Sequence, residues 1–149
     1  QYECYKSTNR TNVDILPSGN WIQDLPAYER ALREKCWSRA RTDVTVCGGL
    51  TPAKKYMALV ETVGMKCEIM SWGNTLVSTA NLHLMLGTGL SSYYEQSVPY
   101  DPYGFGMHDT IRTQQDGYVY APEGPGLGVQ IDWEAMESAT IHKLDSREL

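Results

Sequence analysis

The sequence contains no run of lysine or arginine, although 21% of its 149 residues are charged and the formal net charge is −5. The basic residues are scattered, so no basic face is expected, and nucleic acid and anionic membrane surfaces are unfavourable partners. No apolar stretch approaches the roughly 20 residues that a membrane-spanning helix requires. The opening segment QYECYKSTNR also lacks the apolar core of a secretory signal peptide, so we expect a cytoplasmic protein.

Closely spaced cysteines are absent as well. Cys4, Cys36, Cys47 and Cys67 stand far apart without a Cys-x-x-Cys pair. Neither a zinc site nor a dense disulfide framework is indicated, and we expect reduced thiols. With 42% hydrophobic residues, the composition is that of one ordinary soluble core.

The chain alternates between strand-like and helical patterns. Short β-type runs predict four strands, at residues 12–16, 43–46, 66–70 and 91–95. Apolar residues at helical spacing predict three helices between them, Leu25 to Cys36 capped by Asp24, Thr51 to Val63 capped by Thr51, and Asn74 to Leu86. Strands separated by single helices of this length require parallel pairing with right-handed crossovers. The fold class is therefore predicted to be α/β.

After Pro99 the sequence becomes rich in Tyr, Gly and Pro. We therefore divide the chain into residues 1–98, a partial (β/α) barrel, and residues 99–149, a tail. The tail is predicted to hold strands at 117–121 and 127–131 and a short helix that begins near Asp132.

Four β/α units supply about half of a closed eight-stranded barrel of roughly 250 residues. A free four-stranded parallel sheet leaves edges and one apolar face uncovered. This predicts a missing amino-terminal segment, an oligomer partner that rebuilds the barrel, or else a doubly wound arrangement. The start at Gln1 likewise suggests a trimmed or processed piece of a longer protein.

Three segments carry a resemblance to a known family: RTDVTVCGGLTPAKKYMALVETVGMKCEI, ANLHLMLGTGLSSYYEQ and APEGPGLGVQIDWEAME. Their order and spacing, over about residues 13–137, resemble the mandelate racemase/muconate lactonizing enzyme-like branch of the enolase superfamily, and in particular its acid-sugar dehydratases. The resemblance implies that the chain supplies about strands 5 to 8 of a TIM-type barrel. It also implies that the tail packs on a capping domain.

The resemblance implies a reaction as well. In that family a carboxylate substrate bound to magnesium loses its α-proton to a base at the carboxyl ends of the barrel strands. Magnesium stabilises the enediolate that forms, and a general acid then expels the β-hydroxyl in dehydratases or returns a proton in racemases. A small hydroxy-acid or acid sugar is the implied substrate.

Asp43 matches the family's sixth-strand aspartate, which orients a histidine on the seventh strand, but Met70 occupies the place of that histidine. Glu95 matches the eighth-strand glutamate, which lies beside the substrate carboxylate and acts as a hydrogen-bonding acid. We therefore predict Asp43 and Glu95 as catalytic residues, and Met70 and Trp72 as substrate-pocket residues. Without the resemblance, Asp43 is interpreted as a rim residue paired with Arg41, Glu95 as a solvated strand end, and Met70 and Trp72 as core.

The family's third metal ligand is a glutamate on the fifth-strand turn, and Gly19 stands at its position. A shift of one residue would place Asn20 there, a weaker neutral ligand. We predict Ser18 and Asn20 as substrate contacts and Asn20 as a weak metal ligand, with magnesium bound in the intact parent. The other two ligands and a second-strand lysine base are expected in segments outside this chain.

Two functions remain open. The first is a fragment of an enolase-superfamily lyase or isomerase acting on a hydroxy-acid, with an acid-sugar dehydratase as the expected activity and the isolated chain inactive. The second is a non-catalytic relative, a binding or interaction protein that has lost the third metal ligand and the Asp-His base. The three histidines support neither, because His83 is expected to form a structural hydrogen bond and His108 and His142 are expected to be exposed in the tail.

Overall fold

A computed structural model describes residues 3, 6, 7, 12–17, 24–145 and 147. Its helices are α1 (Leu25–Arg33), α2 (Leu50–Thr62), α3 (Thr75–Thr88) and α4 (Trp133–Ser138), with a short 3-10 helix at Asp101–Gly104. Its strands are β1 (Ala40–Thr42) and β2 (Cys67–Ile69). In the described ranges, no helix has both the length and the apolar character needed to cross a membrane.

The two strands pair in parallel, with α2 as the connection between them. Ala40 lies opposite Cys67 and Arg41 lies opposite Glu68. The α/β class and the parallel pairing predicted from the sequence are confirmed. Because side chains alternate along a strand, Arg41 and Glu68 point to one face of the sheet while Ala40 and Cys67 point to the other.

The apolar core lies between the sheet and the helices. Ala40, Cys67 and Ile69 supply the sheet side of this core, and each is at most 1% exposed. The helices and their connections add a larger set of buried side chains: Tyr28, Ala31, Leu32, Cys36, Trp37, Val44, Ala53, Tyr56, Met57, Val60, Leu84 and Met85. The opposite face of the sheet is therefore left for charged residues.

Local capping chemistry sets the helix starts. Asp24 accepts a hydrogen bond from the Ala27 amide at 2.9 Å, as predicted, and Asn74 caps α3 through the Leu76 amide at 3.0 Å. The expected cap at Thr51 is wrong, because α2 already begins at Leu50 and its N-cap is Gly49. A glycine with φ of 119° supplies the bend there without a side-chain cap.

Two helix ends also differ from the prediction. α1 stops at Arg33 instead of Cys36, and Lys35 follows with a positive φ of 51°. α3 continues through Gly87 to Thr88, and Gly89 takes the left-handed cap conformation. A glycine inside a helix costs only about 1 kcal/mol relative to alanine, so α3 can continue through Gly87 and end at Gly89.

The strand predicted at 43–46 is wrong, because β1 precedes it and Asp43 opens a turn. The amides of Val44 and Thr45 donate to side-chain oxygens of Asn81 and Asp43 at 3.0 and 2.9 Å. The Cys47 amide donates back to the Asp43 carbonyl at 3.1 Å. Since these amides are engaged by side chains and by a turn, they are not free to extend the ladder.

The strand predicted at 91–95 is also wrong, although the segment does run beside β2. The Ser91 hydroxyl donates to the Cys67 carbonyl at 2.7 Å, and the amides of Ser92 and Tyr93 donate to Glu68 Oε2 at 3.0 and 3.2 Å. Side chains therefore replace the backbone partners that a strand would use. The β-type sequence favours an extended path but does not supply a regular ladder.

Residues 12–16 do not form the predicted strand either. The Ile15 carbonyl accepts from the amides of Ser38 and Arg39, both at 3.1 Å, and the Ile15 amide donates to Ser38 Oγ at 2.6 Å. These hydrogen bonds hold the segment beside the start of β1. They do not continue as a ladder.

The tail contains less regular structure than predicted. Residues 117–121 and 127–131 form no strands, apart from one antiparallel bridge between Met107 and Ile131. The predicted short helix is confirmed as α4, whose N-cap Asp132 accepts from the Ala135 amide at 2.9 Å. The prediction fails where glycine and proline turns interrupt the β-type runs.

Candidate functional site at the carboxyl ends of the strands

The candidate site begins where β1 and β2 end. Thr42 pairs with Ile69, so Asp43 and Met70 come next on the two parallel strands and lie at the same edge of the sheet. Both are buried, at 3% and 7% exposure. The structure thus brings together two of the residues predicted from the sequence. Met70 is a thioether and cannot accept a proton at neutral pH, so any base must be another group.

Three donors converge on one oxygen of the Asp43 carboxylate. Oδ1 accepts from the amide and the hydroxyl of Thr45, each at 2.9 Å, and from Asn81 Nδ2 at 3.0 Å. A buried carboxylate is costly unless it is hydrogen-bonded, and these donors meet that requirement. Among the described residues, none donates a hydrogen bond to Oδ2. That oxygen is the part of the carboxylate left for a ligand.

Asn81 is a site residue that sequence reasoning missed. It lies on α3 with no exposed surface, and it contacts the ends of both strands. Its Oδ1 accepts from the Val44 amide at 3.0 Å, while Nδ2 donates to Asp43 and, at 3.2 Å, to the Met70 carbonyl. The signal was an amide side chain inside the apolar pattern Ala-Asn-Leu-His-Leu, since buried polar groups need partners.

Glu95 reaches the same edge through Ser71, which has no exposed surface. The Glu95 amide donates to Ser71 Oγ at 3.0 Å, and Ser71 Oγ donates to the Glu95 carbonyl at 2.7 Å. One hydroxyl therefore fixes the Glu95 backbone next to the end of β2. The Glu95 side chain is 36% exposed and forms an ion pair with Arg41 Nη2.

The charged face of the sheet extends away from this edge. Arg39 forms ion pairs with Asp14 and Glu68, both at 2.6 Å. The Arg39 hydrogen bond lowers the pKa of the Asp14 carboxyl below its ordinary value. Glu68 also accepts from two amides of the segment 91–95, as described above. These pairs compensate the charges on the face of the sheet that carries Arg41 and Glu68.

Trp72, a predicted pocket residue, comes two residues after Met70. It is 44% exposed, which is more than we expect for the wall of a pocket. Its ring meets Tyr103 edge to face, with centroids 6.4 Å apart. The tail is also held here by a hydrogen bond between the hydroxyls of Thr75 and Tyr100 at 3.3 Å. Trp72 and Tyr103 therefore form an aromatic rim beside Met70.

The described residues do not supply a magnesium site by themselves. No group of three or more His, Cys, Asp or Glu side chains in this part of the chain could hold a metal ion. Asp43 has committed Oδ1 to three donors, and Glu95 is paired with a cation. Ser18 and Asn20, the predicted substrate contacts and weak ligand, lie outside the described residues.

The histidines contribute no ligand set either. His83 Nε2 donates to the Leu127 carbonyl at 3.1 Å, which is the kind of structural hydrogen bond expected from the sequence. This bond holds the tail against α3. His108 and His142 are exposed, as predicted.

Comparisons with known proteins agree with this architecture. A protein from Pseudovibrio sp., described as a mandelate racemase/muconate lactonizing enzyme, superposes with a TM-score of 0.92 at 36% identity, over 95% of this chain and 38% of its own. D-glucarate dehydratase from Agrobacterium tumefaciens, solved with magnesium, superposes with a TM-score of 0.80 at 27% identity, over 93% of this chain and 36% of its own. The present chain has the α/β fold of a portion of the (β/α) barrel.

Curated relatives point the same way. A D-galactonate dehydratase family member from Catenulispora acidiphila is 29% identical over 122 residues, which is 78% of this chain and 28% of that protein. The 3,6-anhydro-alpha-L-galactonate cycloisomerase of Streptomyces coelicolor is 28% identical over 134 residues, which is 85% of this chain and 33% of that protein. The chain spans about a third of the length of these relatives. The enolase C-terminal domain-like family matches residues 3–135, and the chain belongs to that family, among mandelate racemase-like enzymes of the enolase superfamily.

Proposed function

We propose that the intact parent protein is an enolase-superfamily lyase or isomerase that acts on a hydroxy-acid, namely an acid-sugar dehydratase. The observation that carries the proposal is that Asp43 and Glu95 lie at the same edge of the sheet. In parallel α/β folds this edge, at the carboxyl ends of the strands, is where active sites form. The dehydratases among the relatives support an acid sugar as the substrate.

The two carboxylates would have different tasks. Asp43 is buried and fixed through Oδ1, so its Oδ2 would accept a hydrogen bond from a substrate hydroxyl at a constant position. Glu95 is partly exposed and would lie beside the substrate carboxylate, where it would act as a hydrogen-bonding group in its protonated form. Since Glu95 is paired with Arg41, the substrate would have to displace this ion pair.

The remaining predicted residues would shape the pocket. Met70 would present an apolar wall, and Trp72 with Tyr103 would offer an aromatic surface to the carbon skeleton of a sugar acid. Ser18 and Asn20 stay predicted substrate contacts on the preceding turn. When bound in the parent, a magnesium ion would supply positive charge to the substrate carboxylate, and most of its ligands would come from outside the described residues.

The rest of the protein would complete the barrel. Residues 1–98 would supply the part of the barrel that corresponds to strands 5 to 8, in which residues 12–16 and 91–95 form no regular strand. Residues 99–149 would form the tail that packs on a capping domain. Apolar side chains exposed on the tail support this packing: Trp133 is 66% exposed and Leu144 is 69% exposed. An oligomer partner that rebuilds the barrel is the alternative source of the missing strands.

A second candidate function is a non-catalytic binding protein built on the same portion of the barrel. It is favoured by Met70, which cannot serve as a base, and by the lack of a three-ligand cluster among the described side chains. Such a protein would bind its ligand with a metal chelator present. Binding would also be insensitive to Glu95→Gln.

The deciding experiment assays the intact protein with magnesium against a library of acid sugars, for dehydration and for exchange of the α-proton with solvent. The enzyme proposal expects turnover that a chelator abolishes and that Asp43→Asn strongly reduces. Ligand binding without turnover, unchanged in chelator and in Glu95→Gln, would reject the enzyme and support the binding protein.

A further inference from the structure

Asn81 has no exposed surface, and its amide orientation is fixed by its surroundings. The Val44 amide can only donate, so the Asn81 oxygen must face it. Nδ2 is then directed to the two acceptors, Asp43 Oδ1 at 3.0 Å and the Met70 carbonyl at 3.2 Å. Both Nδ2 hydrogens are used, and the side chain has one defined arrangement.

This arrangement links three elements through one side chain. Asn81 belongs to α3, while Asp43 and Met70 are the residues that directly follow β1 and β2. The side chain therefore ties the Asp43 carboxylate to the backbone of the neighbouring strand end. Thr45 supplies the other two donors to the same oxygen, so rotation of the Asp43 carboxylate would break three hydrogen bonds at once.

We propose that Asn81 is the positioning residue of the Asp43 carboxylate, holding Oδ1 against the protein and presenting Oδ2 to a hydroxyl group of the ligand. The proposal rests on the proposed function for its effect on turnover. Its structural part, the fixing of Asp43 by Asn81, stands apart from that function. The two parts call for separate readouts.

Asn81→Asp is the informative change in the full chain. Aspartate keeps the side-chain shape and the oxygen that accepts from Val44, but it places a second oxygen against Asp43 Oδ1 and the Met70 carbonyl. The Asp43 side chain is then expected to move away from Thr45. Thr79→Val is the matched control, because Thr79 is equally buried on the same helix and its hydroxyl donates within that helix, to the Thr75 carbonyl at 2.6 Å.

The first readout is the backbone amide proton of Thr45 in ¹H–¹⁵N NMR spectra, which requires no substrate. This amide bonds to the Asp43 carboxylate, so loss of the bond should move its resonance upfield in Asn81→Asp and leave it in place in Thr79→Val. If Asn81→Asp fails to fold, the Asp43→Asn variant is studied instead. In its spectra the side-chain amide protons of Asn81 should shift and exchange faster with solvent. Unmoved resonances in these variants would overturn the proposal.

The second readout is turnover of D-galactonate or D-glucarate by the intact protein with magnesium. A positioning role predicts a fall in kcat of about tenfold or more in Asn81→Asp with KM nearly constant, and near wild-type kcat in Thr79→Val. Equal losses in both variants would show a merely structural role and overturn the proposal. If the wild type turns over neither substrate, that result counts against the proposed function, while the Thr45 resonance still decides the role of Asn81.

Discussion

Arg41 and Glu95 form an ion pair that joins the middle of β1 to the segment beyond α3, 54 residues away in sequence. Glu95 accepts a hydrogen bond from Nη2, while the neighbouring Nε of Arg41 is buried without a hydrogen-bond partner among the described residues. The pair is partly open to solvent, with side-chain exposures of 17% and 36%. Arg41 therefore fixes the Glu95 side chain less completely than Ser71 fixes the Glu95 backbone.

Arg41→Gln should lower the free energy of unfolding by about 1 kcal/mol or less, because a partly exposed pair is screened by solvent. The loss should shrink further at high salt. Urea denaturation at low and high sodium chloride measures both effects. Arg33→Gln, which breaks the exposed pair with Glu29, is the control and should have almost no effect. A loss that does not depend on salt would show that Arg41 acts through packing and not through charge.

Ser71→Ala should release the backbone of Glu95. Both hydrogen bonds of the hydroxyl to Glu95 are lost, and a buried unsatisfied group costs about 1 to 3 kcal/mol. Hydrogen exchange measured by NMR should show faster exchange of the Glu95 amide. Ser91→Ala removes the attachment at the other end of the segment and should leave that amide protected. Equal exchange at Glu95 in both variants would contradict the role given to Ser71.

Cys67 should make stability depend on alkaline pH. Burial raises the pKa of its thiol from 9.0 to about 12. The folded state holds this proton more tightly than the unfolded state, so the contribution is complete below pH 9 and is lost as the pH rises from 9 towards 12. The slope from this one group approaches about 1.4 kcal/mol per pH unit.

Urea denaturation at several pH values from 7 to 10.5 tests the Cys67 prediction. Cys67→Ala should be less stable at pH 7 and should show a shallower decline above pH 9. Burial also raises the pKa values of Tyr28 and Cys47, so a residual decline is expected. An identical decline in the wild type and in Cys67→Ala would refute the assignment.

The tail loop should tolerate alanine at Gly126 far better than at Gly128. Both glycines have positive φ, 67° and 77°, so each substitution carries the roughly 1 kcal/mol cost of a left-handed residue. At Gly126 an added Cβ meets open space, whereas at Gly128 it would come within 2.9 Å of the Pro122 ring. Thermal denaturation should give a clearly lower midpoint for Gly128→Ala. Equal midpoints would mean that the Pro122 contact does not persist in solution.

The sequence predicts those structural features that are set by residues close together in the chain. Asp24, Asn74 and Asp132 each begin a helix through hydrogen bonds to amides two or three residues ahead, so these helices were found. The strand predicted at 43–46 failed because the Val44 amide bonds to Asn81, which is 37 residues away. Local β-propensity contains no information about such a partner.

The candidate site divides in the same way. The resemblance placed Asp43 and Met70 on successive strands, and the structure brings them to one edge of the sheet. Asn81 and Ser71 could not be assigned from the sequence, because their roles depend on hydrogen bonds between distant segments. The roles of Asp43 and Glu95 in chemistry stay predictions until activity is measured.

The central claim is that Asp43 and Glu95 belong to an active site for an acid sugar. The most direct measurement incubates the intact protein with magnesium and D-galactonate or D-glucarate in deuterium oxide, and follows α-deuterium incorporation and dehydration by NMR. We predict exchange or dehydration that disappears in chelator and in Asp43→Asn and falls strongly in Glu95→Gln. Ligand binding without either reaction, unaffected by chelator and by Glu95→Gln, would contradict the account.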